Sequence, residues 1–167
     1  MFSTEGLNEH IAGVILFDET VHQATDDGIP FPQYLLSKGI LPGVKADEGL
    51  VVIPFSEDEF GTQGLDNLAQ RLAQYKKIGV RFAKWRAAYR VSDHSPSPLA
   101  IQDNSHALAR YAAICQSQGI VPIVEPDVSN SKSLFSPQNC LSDTGFSPQP
   151  ESETLRNRCR LETLHLL

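Results

Sequence analysis

Three short apolar runs in this chain end on charged residues, at nearly even intervals. Lys45 closes "LPGVK", Lys84 and Arg86 interrupt "VRFAKWR", and Glu125 follows "IVPIV"; Lys45 to Lys84 and Lys84 to Glu125 span 39 and 41 residues. A unit of that length holds a strand and a right-handed βα return to the next parallel strand. An earlier run, "IAGVILF" at 11–17, ends on Asp18 and Glu19. Near-continuous apolar runs of this kind fit strands covered on both faces, as in parallel sheets.

Between the runs the periodicity changes. Leu65, Leu68, Leu72 and Tyr75 form an i, i+3, i+7, i+10 stripe, which predicts a helix over 65–79 with Gly79 as its stop. Pro98 opens a second predicted helix with Ile101, Leu108, Tyr111 and Cys115 on its apolar side, and Gly119 ends it. "TDDGIPFPQYLLSKGI" reads as a turn-rich excursion, because Asp27–Gly28 marks a turn and Pro30 and Pro32 discourage a regular element. "LPGVKADEGLVVIP" at 41–54 is a strand candidate broken by glycines, and "FSEDEFGTQG" reads as a loop. The strand at 80–85 and a buried strand at 120–128 complete an order of strand, excursion, strand, helix, strand, helix, strand. After residue 128 the sequence is rich in Ser and Pro with no strand-length apolar run. A tail at 129–167 is therefore expected to be disordered or loosely helical, with Leu155, Leu161, Leu164, Leu166 and Leu167 giving its end an apolar bias.

The chain has 167 residues, which suits one modest core, and a formal charge of −6, which argues against a general nucleic-acid binder. No apolar run is long enough to span a membrane. The first residues lack the basic start and apolar core of a secretory signal, so the expected location is the cytoplasm. Three irregularly spaced cysteines make no disulfide framework, and without CxxC or HxxxH no metal site is expected. "GTQG" could present helix amides to an anion but lacks the P-loop lysine.

The charged residues carry two readings each. Lys84 and Arg86 fall on one side of a strand with Trp85 on the other. They either cap a strand end in water or sit inward, where Arg86 offers a fork for a phosphate or carboxylate and Lys84 moves protons. Lys45 either snorkels or is held inward, with Asp47 on its side as a candidate partner and Glu48 facing the other way. Glu125 and Asp127 share a side and form either a salt-bridged strand end or an acid/base pair. Arg90 reads as a solvated loop residue, His94 and His106 as exposed or helix-facing, and Asp18 and Glu19 as structural or capping groups.

Taken together, "GVILFDETVHQATDDGIPFPQ", "LPGVKADEGLVVIP", "GTQGLDNLAQRLAQYKKIGVRFAKWRAAYRV" and "SPSPLAIQDNSHALARYAAICQSQGIVPIVEPDV" resemble class I fructose-bisphosphate aldolase, over about residues 2–128. The resemblance implies an α/β fold, an incomplete (β/α)8 TIM barrel with roughly strands two to five of eight, in a domain spanning 1–128. It implies a lyase of glycolysis and gluconeogenesis that cleaves fructose 1,6-bisphosphate into dihydroxyacetone phosphate and glyceraldehyde 3-phosphate through a lysine Schiff base, with no metal or other cofactor. By position, Lys84 is similar to the family's proton-transferring lysine of "FAKWR". Glu125 is similar to the acid/base glutamate of "VPIVEPE", and Asp127 stands where the family usually has a second glutamate. Lys45 and Arg86 correspond to substrate-binding residues, and Asp47 to a structural neighbour of Lys45. Nothing matches the "EGTLLKP"-like segment that carries the Schiff-base lysine, and the context of Lys132 is wrong for it. The chain is therefore expected to be a truncated or alternatively spliced product, inactive alone. The alternatives are a non-catalytic fragment associating with intact aldolase subunits, and an enzyme acting on another phosphorylated sugar.

Overall fold

The computed structural model describes residues 2, 4–56 and 58–129. The expected tail beyond Ser129, including its leucines, Lys132, Cys140 and Cys159, lies outside the described residues. The elements run β1 (Gly13–Leu16), α1 (Asp18–Val21), α2 (Phe31–Ser37), β2 (Leu41–Lys45), β3 (Leu50–Val52), β4 (Phe60–Thr62), α3 (Leu68–Lys77), β5 (Phe82–Arg90), α4 (Pro98–Ser117) and β6 (Val121–Ser129), after a 3-10 turn at Leu7–Glu9. Strands β1, β2, β5 and β6 form one all-parallel sheet in that order, and β3 and β4 form an antiparallel ribbon. Parallel strands joined by helices give a partial TIM-barrel-like α/β arrangement.

Strand alternation divides the sheet into two faces. The outward set includes Val14, Leu16, Val44, Ala83, Trp85 and Ala87, and it packs with Leu68, Leu72 and Tyr75 of α3 and Leu108, Tyr111 and Cys115 of α4. Trp85 is fully buried with its ring 5.1 Å from Tyr111, whose hydroxyl donates to the Ala83 carbonyl at 2.6 Å. The opposite face follows from the register Lys45↔Lys84, Lys84↔Ile123 and Arg86↔Glu125, which puts the charged residues on one side. Beneath them lies Phe82. A Cβ built on Gly43 would come 2.2 Å from its ring, so the glycine is required by close packing rather than by a turn.

Several expectations meet corrections. Pro30 and Pro32 do not prevent a helix: Pro30 precedes α2 and Pro32 lies in its first turn, where the missing N–H has no intrahelical partner to lose. The 41–54 segment is not one strand, since β2 joins the parallel sheet and β3 leaves it to pair with β4. The loop expected at 55–64 contains β4, held by Asn104 Nδ2 donating to the Phe60 carbonyl at 2.8 Å and Thr62 Oγ1 donating to the Arg86 carbonyl at 2.8 Å. The strand expected at 80–85 runs to Arg90, so Arg90 is a strand residue, ion-paired to Asp58. Ile101 is exposed, outside the buried side of α4. Among the described residues the strand expected as buried at 120–128 is an edge strand, with Val121, Val124 and Val128 at 64%, 45% and 61% exposure. Both predicted helix stops hold, Gly79 at φ 110° and Gly119 at φ 65°, backbone that glycine adopts without steric cost.

Gly43→Ala is expected to destabilise the fold by about 1–3 kcal/mol through overpacking, read by denaturant unfolding. Adding Phe82→Leu should recover part of that loss. A neutral G43A would contradict the Phe82–Gly43 contact.

Candidate active site

The site is built on the end of β2 and the middles of β5 and β6: Lys45 closes its strand, but Lys84, Arg86, Glu125 and Asp127, expected near strand ends, lie inside nine-residue strands that run on past them. Lys84 is 2% exposed, and its Nζ lies 3.0 Å from Glu125 Oε2. Lys45 Nζ lies 2.7 Å from Asp47 Oδ1, and Arg86 Nε lies 2.8 Å from Asp127 Oδ2. Three cations on one face thus meet three carboxylates. Burial of an ammonium costs several kcal/mol unless it is paired and hydrogen-bonded, which fixes the arrangement of Lys84 with Glu125.

Asp47 does more than pair with Lys45. Its Oδ1 also accepts from the Gly49 N–H at 3.2 Å, and its Oδ2 accepts from the Arg86 N–H at 3.3 Å. The buried carboxylate therefore ties the end of β2 to β5. Arg71 of α3 braces the same turn by donating to the carbonyls of Ala46, at 3.0 Å, and Gly64, and it pairs with the exposed Glu48 at 3.4 Å. Lys45 Nζ lies 5.8 Å from the Phe17 ring centroid, a cation–π distance.

All six residues singled out in the sequence, Lys45, Asp47, Lys84, Arg86, Glu125 and Asp127, meet on this face in three ion pairs. Glu48 is exposed and pairs with Arg71 rather than with the three cations, and His94 and His106 are exposed and apart from the site. "GTQG" does not open a helix, since Gly61 and Thr62 belong to β4. Sequence reasoning missed Arg71 and Phe17. Arg71 occupies a polar position between apolar stripe residues, and the one available signal for Phe17 was an aromatic ring directly after a strand. It also missed Glu59, a buried carboxylate that accepts from the Ser97 N–H and, at 2.6 Å, from its hydroxyl, joining β4 to the start of α4.

Asp18, the first residue of α1, accepts a 2.6 Å hydrogen bond from Tyr75 Oη of α3. Burial, and then the hydrogen bond to Asp18 and its charge, push the Tyr75 phenol up to about 12. Burial likewise pushes the Cys115 thiol up to about 11, so this cysteine is no thiolate near neutrality. Among the described residues no group of three or more His, Cys, Asp and Glu is placed to hold a metal ion. No described helix is long and apolar enough to cross a membrane.

Parallel βα units with cations and carboxylates gathered on one face of the sheet define the class: an α/β fold of partial TIM-barrel-like arrangement. Comparison with known proteins narrows it. The family model for fructose-bisphosphate aldolase class-I matches residues 1–133. Fructose-bisphosphate aldolase of Echinococcus multilocularis is 58% identical over 120 residues, covering 72% of this chain and 33% of that protein. The Drosophila melanogaster enzyme is 57% identical over 129 residues, covering 77% and 36%. Among solved structures, fructose-bisphosphate aldolase from Plasmodium falciparum, in complex with TRAP and a small-molecule inhibitor, superposes with a TM-score of 0.74 at 46% identity, covering 77% of this chain and 38% of that one. The chain belongs to the class I fructose-bisphosphate aldolase family, and it spans about a third of the length of these relatives.

The Tyr75 phenol gives a pH signature. Below pH 10 it is neutral in the folded and unfolded chain alike, and its contribution to stability is complete. As pH rises from 10 towards 12 the unfolded chain ionises first, so stability falls. Tyr75→Phe should flatten this part of the stability–pH curve, measured by urea unfolding at a series of pH values. An unchanged slope would contradict the Tyr75–Asp18 assignment.

Proposed function

We infer that this chain carries the substrate-binding and proton-transfer part of a class I aldolase site, on roughly strands two to five of the family's eight, without the strand that supplies the Schiff-base lysine. The observation that carries this reading is the contact of buried Lys84 with partly exposed Glu125 at 3.0 Å, flanked by Lys45–Asp47 and Arg86–Asp127. Each cation is held by one carboxylate, and an anionic oxygen of a phosphorylated sugar can take that carboxylate's place. Arg86 and Lys45 then hold phosphate or hydroxyl groups, with the guanidinium supplying the directional contact. Lys84 and Glu125 stand where they can exchange protons with a group placed between them, the ammonium as donor and the carboxylate as acceptor. Asp127 is one methylene shorter than glutamate and is engaged by Arg86, so it shapes the site rather than reaching the reacting carbon. Asp47 positions Lys45.

The substrate class is a ketose or triose phosphate, and fructose 1,6-bisphosphate is the substrate the family relation supports. Imine formation needs an amine nucleophile with room to attack the carbonyl. No segment of this sequence matches the one that carries the family's Schiff-base lysine, so the chain alone binds without turning over. The workplace is the cytoplasm, in the setting of glycolysis and gluconeogenesis.

Two measurements test this reading. Borohydride treatment of the purified chain with dihydroxyacetone phosphate should leave its intact mass unchanged, while an intact class I aldolase in parallel is labelled. An adduct mapped to Lys84 or Lys45 would overturn the inference of inactivity. Calorimetry should detect binding of fructose 1,6-bisphosphate, weakened about tenfold by Arg86→Ala, or ~1.4 kcal/mol. Equal affinity of the variant would remove Arg86 from the site.

A further inference from the structure

Strand β5 outruns the strand beside it. The β2–β5 ladder ends at Lys45↔Lys84, where the Ala46 N–H donates to the Lys84 carbonyl at 2.9 Å, yet β5 continues to Arg90. Arg86, two residues on, turns its N–H and C=O to the same side as Lys84. Continued pairing would give Arg86 the Ala46 carbonyl and the Glu48 N–H as partners. Both are engaged elsewhere: Arg71 donates to the Ala46 carbonyl at 3.0 Å, and the Glu48 N–H donates to the Gln63 carbonyl at 2.9 Å. Two side chains take their places. Asp47 Oδ2 accepts from the Arg86 N–H at 3.3 Å, and Thr62 Oγ1 donates to the Arg86 carbonyl at 2.8 Å. The peptide groups on both sides of the Arg86 Cα are thus held by side chains where a strand would otherwise hold them.

We propose that Thr62 is a positioning residue for anion binding: its hydroxyl fixes the backbone from which the Arg86 guanidinium reaches a phosphate. The inference rests on the function proposed above and adds a residue to it. Three observations support it. The Thr62 bond is the shorter of the two that hold the Arg86 backbone. Thr62 is itself buried and fixed, because its ribbon is tied to α4 by Ser97 Oγ donating to Glu59 Oε2 at 2.6 Å and by Asn104 Nδ2 donating to the Phe60 carbonyl at 2.8 Å. The hydroxyl therefore stays in place when Arg86 is pulled. Finally, the other hold on Arg86 is Asp127 at its Nε, the carboxylate that a ligand anion replaces in the proposed function. With Asp127 displaced, the backbone contacts keep the guanidinium aimed. Lys84 keeps its own β2 neighbour, so removing the Thr62 hydroxyl acts on Arg86 and spares the Lys84–Glu125 contact.

The test is a double-mutant cycle on fructose 1,6-bisphosphate affinity, measured by calorimetry on wild type, Thr62→Val, Arg86→Ala and the double variant, with Thr62→Ser as the conservative change that keeps the hydroxyl. Thr62→Val preserves the side-chain shape and removes the donor. It should weaken binding about threefold in the wild-type background and cause no further loss in Arg86→Ala, because its effect passes through Arg86. Thr62→Ser should bind like wild type. A Thr62→Val loss of equal size in both backgrounds would mean general loosening of the fold and would overturn the inference. Wild-type binding that Arg86→Ala weakens and Thr62→Val leaves alone would overturn this inference and spare the proposed function. A wild type that binds no fructose 1,6-bisphosphate, or an Arg86→Ala variant that binds as wild type does, would overturn both. Where Thr62→Val fails to fold, the wild type decides by NMR titration with the same sugar. The Thr62 methyl and Arg86 Nε–H resonances should move along one saturation curve, and a stationary Thr62 methyl would overturn the inference.

Discussion

The buried ammonium of Lys84 is the constraint on which the rest of the site depends. At 2% exposure it is tolerated because Glu125 stands 3.0 Å away on the neighbouring strand. That contact needs β5 and β6 side by side in parallel, in the register that sets Arg86 against Glu125 and Lys84 against Ile123. A slip of one residue would turn Glu125 to the helix-covered face and leave the ammonium without its carboxylate. The charge pair and the register thus specify each other, and Lys45 with Asp47 and Arg86 with Asp127 repeat the arrangement on either side.

The apolar chemistry sets the stage for this from both directions. Trp85, between Lys84 and Arg86, is driven into the helix-covered layer against Tyr111, and its burial holds the two cations on the other face. Below the cations, Phe82 fills the space left open by Gly43. Asp47 then links the strand ends through both carboxylate oxygens, and Arg71 and Tyr75 anchor the surrounding turns to α3. The sheet is organised before any ligand is considered, which is how a chain spanning about a third of its relatives' length keeps a recognisable set of aldolase-type side chains together.

Much of this was legible in the residues, for identifiable reasons. The stripe of Leu68, Leu72 and Tyr75 has a period only a helix satisfies, and the two-residue spacing of Lys84 and Arg86 puts them on one side of any strand. Even intervals between charged strand ends identified parallel βα units. Other features depend on tertiary position. The three-residue strands β3 and β4 are too short to show an alternation that can be read locally, and Pro32 reads as a breaker until its first-turn position is known. The exposure of Val124 and Val128 follows from β6 having one neighbour in the sheet, which no local pattern encodes. Arg71 and Phe17 reach the site across distances in sequence that periodicity does not see.

The most direct test of this account is a double-mutant cycle between Lys84 and Glu125, read as the unfolding free energy of wild type, Lys84→Met, Glu125→Gln and the double variant. A pair that organises the face predicts a coupling energy of about 1–3 kcal/mol, with Glu125→Gln alone the more costly for stranding the ammonium. Additive effects, with no coupling beyond error, would mean that Lys84 and Glu125 do not hold each other and that the site is not built as described.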